Sequence, residues 1–332
     1  MPKKLNRSQH VLDVLVELLR FRYLRSTQLV QLLPHRSEDG LRRTLKRMRE
    51  ADLIALPTGQ WRWYNGLNCP WIYEITQKGI DLVGDERPAR VTNLIRRRSD
   101  TPIAHFPHNM MIVDTLVSLK AGVEASGCQF IPFDEIMNRV DTPYAWRLPC
   151  NLRGQDFRVM PDALFGIRYP NNKVWFHILE AERTSAVWPD DWLDRTCFRK
   201  KVYAYDAILR NGSYRDRLKI PNLRLLFVFN KPSAVNKAMT EFTAAFEGAK
   251  IDGRLFATDI PTPDQVKPDV ITKRIMLAPE PMPELFTKEW IVGAKLKHRD
   301  YKRRKKQQYS WELGAISGIT YRRTVVHGEM PK

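Results

Sequence analysis

Met160-Pro161-Asp162, then Leu179-Glu180-Ala181-Glu182 beyond a turn at Pro170-Asn171-Asn172, then Arg199-Lys200-Lys201, is the stretch on which the reading of this chain turns. Residues 157–167 and 173–181 are apolar and aromatic enough to be two adjacent strands, which brings three carboxylates to one end of a sheet. Like charges about 4 Å apart repel by roughly 4 kcal/mol at an effective dielectric of about 20. A cation must lie among them. A hard divalent ion with oxygen ligands is the economical answer, and two carboxylates with a lysine facing such an ion describe metal-assisted phosphodiester cleavage. Strand alternation turns Glu180 and Glu182 to one face and Ala181 to the other. The competing reading is a silent, salt-bridged core in which Arg183, Arg199 or Lys201 simply pairs with the acids.

Working outward, residues 108–123 carry Met111, Val113, Leu116, Val117 and Leu119 at helical spacing, and 127–136 resembles a strand. Residues 194–209 predict a helix with Phe198, Val202, Tyr205 and Leu209 on one face, and 223–229 a strongly apolar, buried strand. The order is helix, three strands, helix, strand, an α/β core with a mixed sheet. His108, on the first of these helices, is either a base or phosphate holder, or a structural histidine.

Upstream, Val11, Leu12, Leu15, Leu18 and Leu19 share one helix face, and Ser26 is placed to cap a second helix with Leu29, Leu32 and Leu33 inward and Pro34 stopping it. The third helix is the informative one. Ser37 is its expected N-cap, Glu38 and Asp39 suit the positive end of the dipole, and Leu41, Leu45 and Met48 form the inward stripe. Arg42, Arg43, Lys46, Arg47 and Arg49 are left outward. Short strands are expected at 53–56, 61–64 and 71–75, and a closing helix at 76–83. Three helices and a hairpin make a winged helix-turn-helix, whose exposed arginines suit phosphates and guanine edges. Arg62 falls in the expected wing, and Trp61 and Trp63 there are expected to pack.

With 332 residues and a formal charge of +18, the chain suits two domains and a polyanionic partner. Double-stranded DNA is the first candidate, with single-stranded DNA a further one. No apolar run approaches a membrane span and no cleavable signal opens the chain, while four scattered cysteines without a CxxC pair indicate neither a zinc ribbon nor a disulfide frame. No membrane and a cytoplasmic setting are the expectations. Residues 96–98 form an arginine triplet in a polar stretch; 238–246 suggest an amphipathic helix, 255–258 a last edge strand, and 261–283 a proline-rich extended segment. The tail concentrates Lys302, Arg303, Arg304 and neighbouring cations among Tyr301, Tyr309 and Trp311. This block either binds phosphates and stacks unpaired bases or is a solubilising tail.

The element order and the Asp…Glu-x-x pattern resemble the PD-(D/E)xK restriction-endonuclease-like fold. The whole arrangement, a winged helix followed by His108, Pro161-Asp162, Glu180-Ala181-Glu182-Arg183-Thr184, Lys201 and Tyr205, is similar to the replication-relaxation family over roughly residues 8–258. That family includes relaxases of the MobC type, which nick an origin of transfer. The resemblance implies an α/β (α+β overall) chain: a winged helix-turn-helix at 7–85, a linker at 86–102, a PD-(D/E)xK-like nuclease domain at 103–260, and a proline-rich segment and basic tail at 261–332. It also implies metal-dependent, site-specific DNA nicking in plasmid or mobile-element transfer or replication, with Mg²⁺ or Mn²⁺ held by Asp162, Glu180 and Glu182. Lys201 and His108 would complete the catalytic set. Glu182 departs from the family pattern, standing where the nuclease motif has its lysine. Either it is a further ligand while Lys201 or Lys200 supplies the positive charge, or the centre has lost its chemistry and the protein is a DNA-binding replication or transcription regulator. Tyr203 and Tyr205 lack the histidine-metal pattern of a covalent tyrosine mechanism. A homodimer stays open.

Overall fold

The computed structural model describes residues 8–33, 37–63, 70–84, 105–125, 127–140, 146–183, 197–229, 255–259, 291–292, 308–313 and 321–326. It is a mixed α/β structure of helices and several sheets.

The first part runs α1 (Gln9–Phe21), β1 (Tyr23–Arg25), α2 (Ser26–Leu32), α3 (Glu38–Glu50), β2 (Ile54–Ala55), α4 (Thr58–Trp63), β3 (Ile72–Ile75) and α5 (Gln77–Gly84). The apolar stripes behave as their spacing dictates: Val11, Leu15, Leu18, Leu29, Leu41, Leu45 and Met48 are all buried together. Ser37 caps α3, its Oγ accepting from Gly40 N at 3.2 Å. At α2 the cap sits one residue earlier than expected. Arg25 is the N-cap and its N–H donates to the Gln28 side chain at 2.9 Å, so Ser26 is already helical.

Residues 61–63 of the strand expected at 61–64 belong instead to α4, residue 64 lying outside the described residues, and the small sheet is β1-β3-β2, antiparallel throughout. The physical reason is visible at Gln60. Its side-chain amide accepts from Ile72 N at 3.2 Å and donates to Ile72 O at 3.4 Å, doing the work of a paired strand at that point of β3. Trp61, expected to pack, is 55% exposed, while the side chains of Arg62 and Trp63 lie outside the described residues. At the start of α5, Gly79 lies so close to Leu53 O that an added Cβ would stand 2.3 Å from it, which fixes glycine there.

The second part begins with α6 (Phe106–Ala125), β4 (Gln129–Ile131), α7 (Phe133–Met137), β5 (Leu148–Leu152), β6 (Gln155–Val159), β7 (Ala163–Arg168) and β8 (Val174–Glu182). It continues with α8 (Phe198–Asn211), α9 (Ser213–Leu218) and β9 (Arg224–Phe229), followed by β10 (Leu255–Asp259), β11 (Ile291–Val292), β12 (Gln308–Leu313) and β13 (Tyr321–Val326). The main sheet has the order β11-β10-β9-β8-β7-β4, with β8, β9 and β10 mutually parallel and β7 antiparallel to both its neighbours.

Two expected strands are shorter. Residues 127–136 divide at Pro132, which caps α7, and 157–167 divide at Met160-Pro161-Asp162, since proline has no N–H to continue a ladder. β6 pairs instead with β5 in a separate hairpin that packs on α8. β10 is not the edge, because β11 pairs outside it, and residues 308–313 and 321–326 of the tail form an antiparallel pair. The expected helix at 238–246, the proline-rich stretch, the arginine triplet 96–98 and Lys302, Arg303 and Arg304 lie outside the described residues.

Alternation along β8 divides its side chains between two layers. Phe176 and Ile178 face α8, where Phe198, Val202, Tyr205 and Ile208 are buried; Leu179 and Ala181 face Met111, Leu119 and Val123 of α6. All six residues of β9 are buried, as a central parallel strand requires. The two parts share one apolar cluster running from Val11 to Phe229. They are also joined by buried charge: Arg25 pairs with Asp114 of α6, and Gln28 Nε2 donates to the same Asp114 oxygen at 2.8 Å.

Candidate functional site

The break at Pro161 leaves Asp162 immediately before Ala163, whose strand partner is Leu179, so the register sets Asp162 against Glu180. Ala181 N donates to Asp162 Oδ2 at 2.8 Å, and His108 Nε2 lies 3.1 Å from Asp162 Oδ1. Glu180 and Glu182 share a face, as alternation demands, and both reach the same ammonium. Lys201 Nζ donates to Glu180 Oε2 and to Glu182 Oε1, each at 2.7 Å. Tyr205, one helical turn beyond Lys201, donates its hydroxyl to Glu180 Oε1. All five sequence-predicted residues, His108, Asp162, Glu180, Glu182 and Lys201, are thus brought together. Tyr205, named with Lys201 in the resemblance but expected only on the apolar helix face, adds a partner to Glu180.

The cation that the carboxylates require is therefore present as part of the chain. Lys201 meets Glu180, which is only 1% exposed. Lys200, the alternative lysine, lies over the Phe157 ring at 3.9 Å.

The charges within this group are unequal. Burial pushes the Glu180 carboxyl up to about 7; the Lys201 ammonium opposes the rise and Asp162 adds to it. Burial also opposes ionisation of Asp162, yet the His108 hydrogen bond, the Lys201 charge and the Ala181 N–H outweigh it and hold that carboxyl below its ordinary value. Burial disfavours the charge on Lys201, but Glu180, Glu182 and Asp162 outweigh it and hold the ammonium charged. Burial and the adjacent Glu180 raise the Tyr205 phenol well above its usual range, so it stays a hydrogen-bond donor. A phenol held in that state is a poor nucleophile.

A divalent ion asks for several oxygens free to coordinate it. Here both oxygens of Asp162 and both of Glu180 accept hydrogen bonds, and Glu182 gives one of its two to Lys201. Among the described residues no group of three His, Cys, Asp or Glu side chains is arranged to hold a metal. As the side chains stand, a divalent ion would have to share these oxygens with Lys201, Tyr205, His108 and the Ala181 N–H. What the group holds is a buried carboxyl near its midpoint at neutral pH, a fixed ammonium, and an accessible edge at His108 and Asp162, whose side chains are 27% and 19% exposed.

The second candidate surface is α3. Arg42, Arg43, Lys46, Arg47 and Arg49 are all exposed, on the side away from Leu41, Leu45 and Met48. Arg42 is partly engaged by Glu38 at 3.0 Å, and Lys46 lies 4.0 Å from Glu50. Such exposed pairs are weak and leave the cations available. Arg49 lies over the exposed Trp71 ring at 5.2 Å, and Trp71 meets Trp61 edge-on at 6.1 Å.

Among the described residues no helix is long and apolar enough to cross a membrane. A protein-family model described as replication-relaxation matches residues 15–223, which takes in α3, His108 and the whole acidic group. No curated protein and no solved structure matches the chain.

Proposed function

Because the chain belongs to the replication-relaxation family, which points to a role in replication or mobile-element transfer, we propose that it acts there as a duplex-DNA-binding protein. In this reading the first part is a winged-helix-like reader with α3 lying in the major groove. The observation that carries it is the five-cation exposed face of α3 in a chain of net charge +18. Arg43 and Arg47, one turn apart and free of the Glu38 pairing, would make phosphate or guanine contacts, and the Arg25–Asp114–Gln28 contact would fix α3's part of the molecule relative to the sheet. The test is duplex binding by fluorescence anisotropy over a salt series. Replacing Arg43 and Arg47 together by alanine should weaken binding by at least about tenfold and flatten the salt slope by roughly 2. An unchanged slope would show that α3 does not face the phosphates.

Metal-dependent nicking is the second reading, favoured by the strand register that sets Asp162 against Glu180 with Lys201 and His108 beside them. It requires Lys201 to release carboxylate oxygens that it now occupies. Supercoiled plasmid carrying the cognate origin, incubated with Mg²⁺ or Mn²⁺, decides the matter. Open circular product that disappears in Asp162→Ala and Glu180→Ala supports nicking, and intact plasmid with either metal leaves the DNA-binding regulator.

A further inference from the structure

The exposed face of α3 has two sides. Arg43 and Arg47 border a groove on one of them, with His10 and Thr44. On the other, Arg42, Lys46 and Arg49 follow one another at helical spacing beside an open groove of about 610 Å³ between α2, α3 and the start of β3. Trp71 borders that groove as well, and Glu38, its one acid, is engaged by Arg42 at 3.0 Å. Trp71 and Trp61 meet at 6.1 Å and are 46% and 55% exposed; among the described residues Met160 is the one other large apolar side chain left so open. Two such rings side by side in water mark an interaction surface. Arg49 lays its guanidinium over the Trp71 ring at 5.2 Å, so the last cation of the row and the first ring of the pair are continuous.

We propose that this surface takes a single DNA strand continuing from the duplex on α3, its bases stacking on Trp61 and Trp71 and its phosphates following Lys46 and Arg49. The proposal rests on the DNA-binding reading and adds that the preferred DNA is a duplex with a single-stranded extension. Paired bases show a protein only their edges, so a duplex has little use for an open indole face, whereas an unpaired base offers its own face to it. The two indole planes stand at 82°, so one base cannot lie sandwiched between them and each ring serves a different base. A row of cations running up to the rings matches the phosphates that such a strand carries. An apolar protein partner would cover those charges without neutralising them.

Three fluorescein-labelled DNAs sharing one duplex test this by anisotropy: one blunt, one with a single-stranded thymidine tail, and one with an abasic tail of equal length, which carries the phosphates without the bases. The wild-type protein should bind the thymidine tail roughly tenfold tighter than the abasic one. Trp61→Ala with Trp71→Ala should erase that difference while binding the blunt duplex as the wild type does, and Trp61→Ala alone, at the more exposed ring, should lose part of it. Equal affinity of the wild type for the two tails, or a preference retained in the double variant, overturns the stacking surface and leaves the duplex reading standing. If the tails are bound equally and capture by anionic phospholipid vesicles needs both tryptophans, the surface belongs to a membrane instead. Binding of none of the three DNAs overturns the duplex reading and the stacking surface with it.

Discussion

Asp114 and Glu180 are both 1% exposed and both are met by a cation, yet they are solved differently. Asp114 is met by the buried guanidinium of Arg25 and by a second donor in Gln28. Glu180 shares one ammonium with Glu182 and lies next to Asp162, so several carboxylates crowd one lysine. Asp114 thus acts as a staple between the two parts of the molecule, whereas burial, with Asp162 adding to it, leaves Glu180 with a proton to gain or lose close to neutrality. Fixed pairing builds structure, and unequal pairing leaves a group poised for chemistry or for pH response.

The largest effect should come from breaking the staple. Asp114→Ala leaves Arg25 charged, buried and deprived of its carboxylate, which costs about 3–5 kcal/mol for a pair of this kind. Urea unfolding followed by circular dichroism measures it as a drop in midpoint at constant slope. A loss below about 1 kcal/mol would mean that Arg25 finds another partner, and the distinction between the two acids would weaken.

Next in size is the pH response of Glu180. Its folded value of about 7 stands above its ordinary 4.5, so the folded state holds this proton to higher pH than the unfolded chain does. Its contribution is fully present below about pH 4.5 and is lost as pH rises through about 7. The change is on the order of 3 kcal/mol for a group this buried. His177 acts with the opposite sign: burial first, and then Arg224, hold it down to about 3, so it stays neutral in the fold and acidification below its ordinary 6.5 costs stability. The wild-type profile contains both. Glu180→Gln removes one, and subtracting the two stability profiles between pH 4.5 and 7 isolates the carboxyl. A difference that does not slope across that interval would place Glu180 with Asp114 as an ordinary ion pair.

These two acids also differ in how far they were legible in the sequence. Glu180 belongs to a local pattern: alternation put it on one face with Glu182, and Coulomb repulsion demanded a cation nearby. The identity of that cation was not legible, because whether a lysine on the next helix or a bound ion fills the gap depends on distances that helix packing sets. The Arg25–Asp114 pair spans 89 residues and leaves no periodic mark at all. The same division holds in the first part. Ser37 and the Leu41, Leu45, Met48 stripe were readable because a cap and a stripe are defined within two turns. The helix at Thr58–Trp63 was not, since the aromatic residues there suggested a strand and the hydrogen bonds of Gln60 to Ile72 are a tertiary contact. Tyr205 shows the middle case, where helical spacing placed the residue correctly but its aromatic ring hid the role of its hydroxyl.

The smallest effect probes the sharing itself. Glu182 is only partly buried and competes with Glu180 for Lys201, so Glu182→Gln should leave Glu180 with a fuller claim on the ammonium and one fewer negative neighbour. Both changes favour the ionised form of Glu180. The midpoint of its titration, followed by the same stability difference or by carboxyl NMR, should therefore move downward, and global stability should change by less than about 1 kcal/mol, as expected for a partly exposed pair. An unchanged midpoint would mean that Glu182 takes nothing from Glu180. The elevation would then come from burial and Asp162 alone, and crowding around one lysine would no longer be what sets this acid apart from Asp114.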